Sequence, residues 1–297
     1  MELRRSDLDY LLHILILIGI YAILAMSLDL LVGHTGLLSV AHAAFYGLGA
    51  YSAALLSVHF GIPFVLSVIL GMLTAILASL IFSLPSLRLH DDYFVIATFA
   101  FQMILFGIFN NWTGMTRGPF GIPGIPPPSI LGLPIRSRIA FVFLVVVFAV
   151  LCFQIVSRIS MSPFGRVLRG IREDETFTRA LGKNTVRFKV LIFAVSAALA
   201  ASAGCLYAQY LSFIAPTSFT VMESILVISM VVIGGAGSRW GPIVGAIVLV
   251  TLPEALRFVG LPNDVAANLR QIAYGGGLVT MMMFRPQGLI GKYGFGR

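Results

Sequence analysis

From Leu11 to Val32 the chain runs through the length of one bilayer crossing with a single acid, Asp29, and one histidine, His13. A helix needs about 20 such residues to cross the hydrocarbon core. Comparable runs recur at Pro63–Leu84, Phe94–Trp112, Ile139–Ser157, Val190–Phe213, Glu223–Ile233, Gly241–Leu256 and Ile272–Phe284. Backbone polar groups in lipid must be satisfied within the segment itself, which selects helices. The composition agrees: 58% of the 297 residues are hydrophobic and 11% charged, against roughly 25% charged in soluble domains. The expected fold class is therefore all-α, a polytopic transmembrane helical bundle with about eight to ten spanning helices.

A net charge of +8 is also compatible with nucleic-acid binding. Here, however, eight of the twenty Lys and Arg fall between Arg158 and Lys189, and no basic patch is interleaved with aromatics. Basic residues of membrane proteins gather in cytoplasmic loops, so no nucleic-acid partner is expected. Cys152 and Cys205 both lie in apolar runs and read as small packing residues; their spacing fits neither a metal site nor a disulfide framework. Arg4 and Arg5 before Leu11–Val32 resemble a signal peptide, but the apolar run is too long for one and reads as a retained span.

Two stretches break the pattern. Gly33–Ser57 is apolar but dense in small residues, with His34 and His42; such a run suits close helix contact or a helix broken at membrane depth. Thr113–Arg136 holds six prolines and five glycines, which no regular helix survives; residues 113–137 read as a Pro/Gly-rich external loop. With the 158–189 segment inside, Arg239 and the tail carrying Arg285, Lys292 and Arg297 also fall inside, and Leu261–Asn268 outside. Five simple crossings before the segment place Arg4 and Arg5 outside, unless a crossing is hidden in Gly33–Ser57.

The charged segment "SPFGRVLRGIREDETFTRALG" (Ser162–Gly182) has its own architecture. Ser162 is a good N-cap and Pro163 a good first helical residue. Phe164, Val167, Leu168 and Ile171 recur on one helical face, with Arg166, Arg169 and Arg172 opposite. Glu173, Asp174 and Glu175 suit the N-terminus of a second short helix, which Asp174 can cap. Phe177, Ala180 and Leu181 share a face, and Gly182 is a natural terminator. A helix of about two turns is marginal in water alone, so its apolar face predicts a docking surface. An amphipathic helix resting on lipid headgroups fits the pattern equally well.

Five blocks resemble the LivM-type permeases of branched-chain amino-acid ABC transporters: "LDLLVGHTGLLSVAHAAFYGLGAY" (Leu28–Tyr51), "GPFGIPGIP" (Gly118–Pro126), "GRVLRGIREDE" (Gly165–Glu175), "VIGGAGSRWGPIVGA" (Val232–Ala246) and "FRPQGL" (Phe284–Leu289). They keep the family's order over nearly the whole chain. The resemblance implies one permease domain over residues 1–297 in a bacterial inner membrane, with a cytoplasmic C-terminus and residues 158–189 as a cytoplasmic coupling loop. Glu173, Asp174, Glu175, Thr176, Phe177, Arg179, Ala180, Leu181 and Gly182 would insert into a groove of a separate ATP-hydrolysing subunit. It further implies a second related permease as heterodimer partner, two ATP-binding subunits, a periplasmic solute-binding protein and membrane lipid around the spans. Such loops usually carry small residues, often paired alanines, after the glutamate; here Thr176, Phe177 and Thr178 follow.

Other motifs carry less. "GGAGSRWG" (Gly234–Gly241) lacks the lysine of a phosphate-binding loop and reads as a tight turn between packed helices. No other nucleotide-binding pattern appears, so the chain is expected to bind no cofactor, the ATP being used by partner subunits. No catalytic constellation is present, and no enzyme is expected. Asp29, His34 and His42 read either as a proton relay or as hydrogen-bonded residues at a helix break. Ser39 and His42 are candidates for the substrate path. Asn110, Asn111 and Trp112 read as a span end at the outer interface. A urea or other small-solute permease of the same family, an ion-coupled secondary transporter and a channel remain alternatives.

Overall fold

A computed structural model describes residues 2–87, 91–130, 133–257, 275–281, 283–285 and 287–290. Eleven helices are traced among them: α1 (Glu2–Thr35), α2 (His42–Phe60), α3 (Phe64–Ser86), α4 (Asp91–Asn111), α5 (Thr113–Thr116), α6 (Arg138–Met161), α7 (Pro163–Glu173), α8 (Glu175–Ala180), α9 (Thr185–Leu211), α10 (Val221–Gly234) and α11 (Gly241–Arg257). Seven described segments are long and apolar enough to cross a membrane: Leu8–Thr35, His42–Phe60, Phe64–Ser86, Asp92–Asn111, Arg138–Met161, Thr185–Leu211 and Pro216–Gly234. Gly241–Pro253 is a shorter apolar helix. Of the expected span Ile272–Phe284, residues 275–281, 283 and 284 are helical. Arg88, the Leu261–Asn268 loop, Lys292 and Arg297 lie outside the described residues. The chain is a polytopic all-α membrane bundle.

Two connections between successive crossing-length helices fold back against the bundle. The first break separates α1 from α2. Gly36, at φ +75, closes the end of α1, where Leu37 N donates to Leu31 O at 3.2 Å. Residues 36–41 then run without helix, and α2 begins at His42. Side chains from other helices satisfy the exposed backbone: Val40 N donates to Thr98 Oγ1 of α4 at 3.1 Å, and Ala43 N to Ser224 Oγ of α10 at 2.9 Å. The expected discontinuity in Gly33–Ser57 is therefore present, and α2 is itself of crossing length.

The second break separates α9 from α10. Ser212, at φ +58, ends α9. Strand β4 (Phe213–Ile214) then pairs antiparallel with β1 (Ile122–Pro123) of the Pro/Gly-rich segment, and a 3-10 turn, Pro216–Phe219, leads into α10. Gln102 Nε2 of α4 donates to Phe219 O at 2.8 Å. The Pro/Gly-rich segment also holds a hairpin, β2 (Ser129–Ile130) with β3 (Leu133–Pro134).

The core is built on close contact between α2 and α9. Almost every residue of α9 from Ala194 to Gly204 is small and buried. A Cβ at Gly204 would stand 2.0 Å from Tyr46 O, and one at Gly49 would stand 2.1 Å from Ala201 O. Backbone approach of this kind drives helix association where lipid offers no hydrophobic gain. Cys205 Sγ donates to Gly49 O at 3.3 Å, and Cys152 and Cys205 are both free and buried, as packing residues should be.

The bundle has two distinct ends. α7, the Gly36 turn, the 235–240 turn and residues 287–290 share one; Leu289 N donates to Ile233 O at 2.9 Å and Ile290 N to Gly234 O at 3.0 Å. At the opposite end the start of α1 meets the start of α6 and the end of α9. Arg138 Nη1 donates there to Asp9 O at 3.0 Å, and His13 Nδ1 lies 2.5 Å from Tyr210 Oη. The first turns of α1 thus lie away from the charged segment, as five crossings require, despite Arg4 and Arg5.

Gly204→Leu is expected to prevent the α2–α9 approach, destabilising the fold by about 1–3 kcal/mol or more, as overpacking does. A lowered midpoint of thermal denaturation in detergent would show it. Gly107→Ala, where an added Cβ meets open space, should leave the midpoint in place.

Candidate functional site

The charged segment folds into two helices set at an angle. Ser162 Oγ accepts from Gly165 N at 3.2 Å, capping α7, and Pro163 occupies its first turn. A Cβ at Gly165 would lie 2.3 Å from Ile159 O, so glycine permits the sharp turn out of α6. Leu168 and Ile171 are buried, and Phe164 stacks on Phe188 of α9 with centroids 5.0 Å apart. Protein, not lipid headgroups, therefore covers the apolar face of α7. The arginines divide. Arg166 stays exposed, whereas Arg169 Nη1 donates to Ser160 O at 3.0 Å and Arg172 Nη1 donates to Gly33 O. Sequence periodicity placed all three on the solvent side; carbonyls left open at helix ends draw two of them back.

α8 is pinned from beneath. Asp174 Oδ1 accepts from Phe177 N at 2.9 Å, the expected cap. Thr178 is buried, with Oγ1 donating to Asp174 O at 2.9 Å. Glu175 is the latch: Oε2 accepts from Lys189 Nζ at 2.6 Å, and Oε1 from Thr185 Oγ1 and Arg179 Nη2, each at 2.7 Å. Lys189 is 5% exposed. Burial alone would raise the Glu175 pKa, but the hydrogen bonds from Lys189 and Thr185, the Lys189 charge and the Arg179 bond together hold it below the usual glutamate range. Gly182, at φ +77, ends the segment.

The sequence candidates therefore split by role. Glu173, Thr176, Phe177, Ala180, Leu181 and Gly182 face outward, with Phe177 62% and Leu181 63% exposed. Asp174 and Glu175 hold the helix in place, and Arg179 braces Glu175. Thr178, Thr185 and Lys189 complete the latch and were not singled out from sequence; Lys189 counted there only as one more cytoplasmic charge.

Beneath α7 lies a second junction. Asp29 Oδ1 accepts from Gly237 N at 2.7 Å, and His34 Nδ1 stands 3.6 Å from Asp29 Oδ2. A Cβ at Gly33 would meet Asp29 Oδ1 at 2.1 Å and Gly237 N at 2.3 Å. Arg172 thus ties α7 to the end of α1, and Asp29 ties that end to the α10–α11 turn. That turn is the Gly234–Gly241 motif. A Cβ at Gly245 would lie 1.8 Å from Met230 O, so this glycine-rich run closes two packed helices.

At mid-bundle, Ser39 and His42 are fully buried. Ser39 Oγ accepts from Ala41 N at 3.4 Å, and His42 Nε2 lies 2.7 Å from Ser27 Oγ. Ser39 sits in the first break and His42 opens α2. Alongside it, in the first turn of α10, Tyr21 Oη donates to Glu223 Oε1. Sequence reasoning passed over Glu223, although one acid opening an apolar run was a readable signal. Asn111 Nδ2 donates to Gly107 O at 2.8 Å and Trp112 is exposed, as expected at a span end. Among the described residues no group of three or more His, Cys, Asp or Glu is arranged to hold a metal.

Because the Glu175 pKa is lowered by folding, the latch stabilises α8 above the ordinary glutamate value of 4.5 and is lost as pH falls through the depressed folded value. Amide protection of residues 175–182 is expected to drop over that acid window, and Glu175→Gln should abolish the dependence.

A family model described as the permease component of branched-chain amino acid transport systems matches residues 10–284. The high-affinity branched-chain amino acid transport system permease protein LivM of Escherichia coli K12 is 36% identical over 91% of this chain and 68% of its own length. The probable LivM permease of Methanocaldococcus jannaschii is 26% identical over 96% of this chain and 94% of its own. LivH of Salmonella typhimurium, a permease of a like-named system, is 25% identical over 92% and 91%. No solved structure matches the chain. The chain belongs to the family of branched-chain amino acid transport permeases, and within it is similar to the LivM type.

Proposed function

We propose that this chain is a transmembrane subunit of an ATP-driven, ABC-type importer of branched-chain or other hydrophobic amino acids. It pairs with a second, related permease, rests on two ATP-binding subunits and receives solute from a periplasmic binding protein. It resides in the bacterial inner membrane with its C-terminus in the cytoplasm. It holds neither cofactor nor catalytic site of its own; ATP is consumed by the partner subunits. The observation that carries this reading is the exposed Phe177–Leu181 face on a helix latched by Glu175. A six-residue helix and its C-cap residue, offering Phe177 and Leu181 to solvent, form a knob awaiting a socket. The names of the relatives support the solute class.

The coupling follows from the junctions. An ATPase that grips Phe177 and Leu181 as it closes moves α8, and the Glu175–Lys189 pair carries that motion into the start of α9. Through α7, Arg172 carries it to the end of α1, and Asp29 passes it to the α10–α11 turn. α1, α9 and α10 border the two breaks. Moving such a switch from 1:99 to 99:1 takes about 5.5 kcal/mol of differential binding. Ser39 and His42 stand in the wall of the path and set the start of α2. The Glu223 carboxylate, braced by Tyr21, faces the ammonium group of the solute.

Phe177→Asp should leave the protein inserted and the complex hydrolysing ATP, while uptake in proteoliposomes falls about tenfold or more. Glu175→Lys, which sets three cations together, should do the same. Uptake at the unsubstituted level in both would remove the coupling assignment. Uptake that stops when a proton gradient collapses and ignores ATP would favour a secondary transporter.

A further inference from the structure

At the end of the bundle away from α7 lies a cavity of about 520 Å3, lined by His13, Pro128, Arg136, Arg138, Gln209 and Tyr210 among others. A second hollow, of about 670 Å3, shares Ile135 and Ser137 with it and continues along α6 past Ile139, Ala140, Phe143, Leu144 and Val147. The two differ in chemistry. The first mixes polar and apolar side chains and carries two arginines; apart from Ser137 the second is wholly apolar. Residues 139, 140, 143, 144 and 147 lie on one face of α6, and Ile139 and Phe143 are 63% and 71% exposed.

Two features of the first cavity offer donors to an anion. Ser137 caps α6 without a side-chain hydrogen bond, so the first-turn N–H groups keep the affinity for anions common to helix N-termini. Arg138 uses one guanidinium nitrogen on Asp9 O, and a guanidinium has five N–H donors. An anion with an apolar tail answers both and fills the adjoining hollow as well.

We propose that this pair of hollows binds an anionic glycerophospholipid of the phosphatidylglycerol kind. Its phosphate sits against Arg136, Arg138 and the first turn of α6. One acyl chain lies along the 139–147 face. The site joins α1, α6 and α9, which already meet there through His13 and Tyr210 and through Phe141 and Tyr210, whose ring centroids are 5.1 Å apart. The lipid therefore acts as a clasp on the end of the bundle away from the coupling helix. This site depends on the chain being membrane-embedded and not on its solute.

The test is retention of lipid by the transporter complex purified in mild detergent, read by extraction and mass spectrometry. Phosphatidylglycerol should be enriched over its share in the membrane. Arg136→Gln with Arg138→Gln should weaken retention about thirtyfold, as two cations at an anionic surface imply, while Lys at both positions keeps it. Ala140→Trp, which fills the hollow without touching a charge, should also release the lipid. Retention at the unsubstituted level in the Gln pair or in Ala140→Trp overturns the proposal. So does thermal protection by millimolar inorganic phosphate equal to that from phosphatidylglycerol vesicles, which would make the site one for a small anion. Cross-linking of position 143 to a companion subunit with no lipid retained would make the hollow a subunit interface and likewise overturn it.

Discussion

Everything in this bundle depends on satisfying backbone groups where no water reaches. Breaking a span frees N–H and C=O groups, each costing several kcal/mol if left bare in lipid. The chain interrupts its helices between α1 and α2 and between α9 and α10, and brings both interruptions to one helix. Thr98 and Gln102, four residues apart on α4, accept from Val40 N and donate to Phe219 O respectively. Ser224 of α10 in turn accepts from Ala43 N. Each break thus supplies or receives the bonds that the other elements require. Both Thr98 and Gln102 are fully buried, although α4 otherwise looks like an ordinary span.

Small residues make that arrangement possible. With Gly49 and Gly204 at the crossing, α2 and α9 approach until a single Cβ would collide with a carbonyl. Rigid contact of this kind transmits displacement without being absorbed by rotamer changes. The end that holds α7 follows the same logic. Gly33, Gly36 and Gly237 leave space for Asp29 and Arg172 to join three elements. A displacement of α8 would therefore meet packed backbone at every step, as the proposed coupling requires.

Much of this was legible beforehand. The spans announce themselves because lipid permits few alternatives. The caps at Ser162 and Asp174, the stop at Gly182 and the discontinuity after Gly33 all follow from local rules of backbone geometry. The charged segment was less transparent. Glu175 reads as a docking acid in sequence, yet its carboxylate turns inward to Lys189, fourteen residues on. Arg169 and Arg172 read as solvent-facing, yet they reach carbonyls at the ends of α6 and α1. Asp29 read either as a relay or as a hydrogen-bonded residue at a helix break, and its geometry is the second, a tie to Gly237. In each case the partner is remote or a backbone group that periodicity does not register.

Sequence alone determined that the chain lives in a bilayer, that its elements are helices and that one charged, capped segment lies outside the lipid. Composition and short-range stereochemistry suffice for these. Only tertiary structure decided which polar side chains face a partner and which hold the frame, and that α4 carries both breaks. Those outcomes depend on distances between residues far apart in the chain, where a single hydrogen bond at membrane depth outweighs local preference.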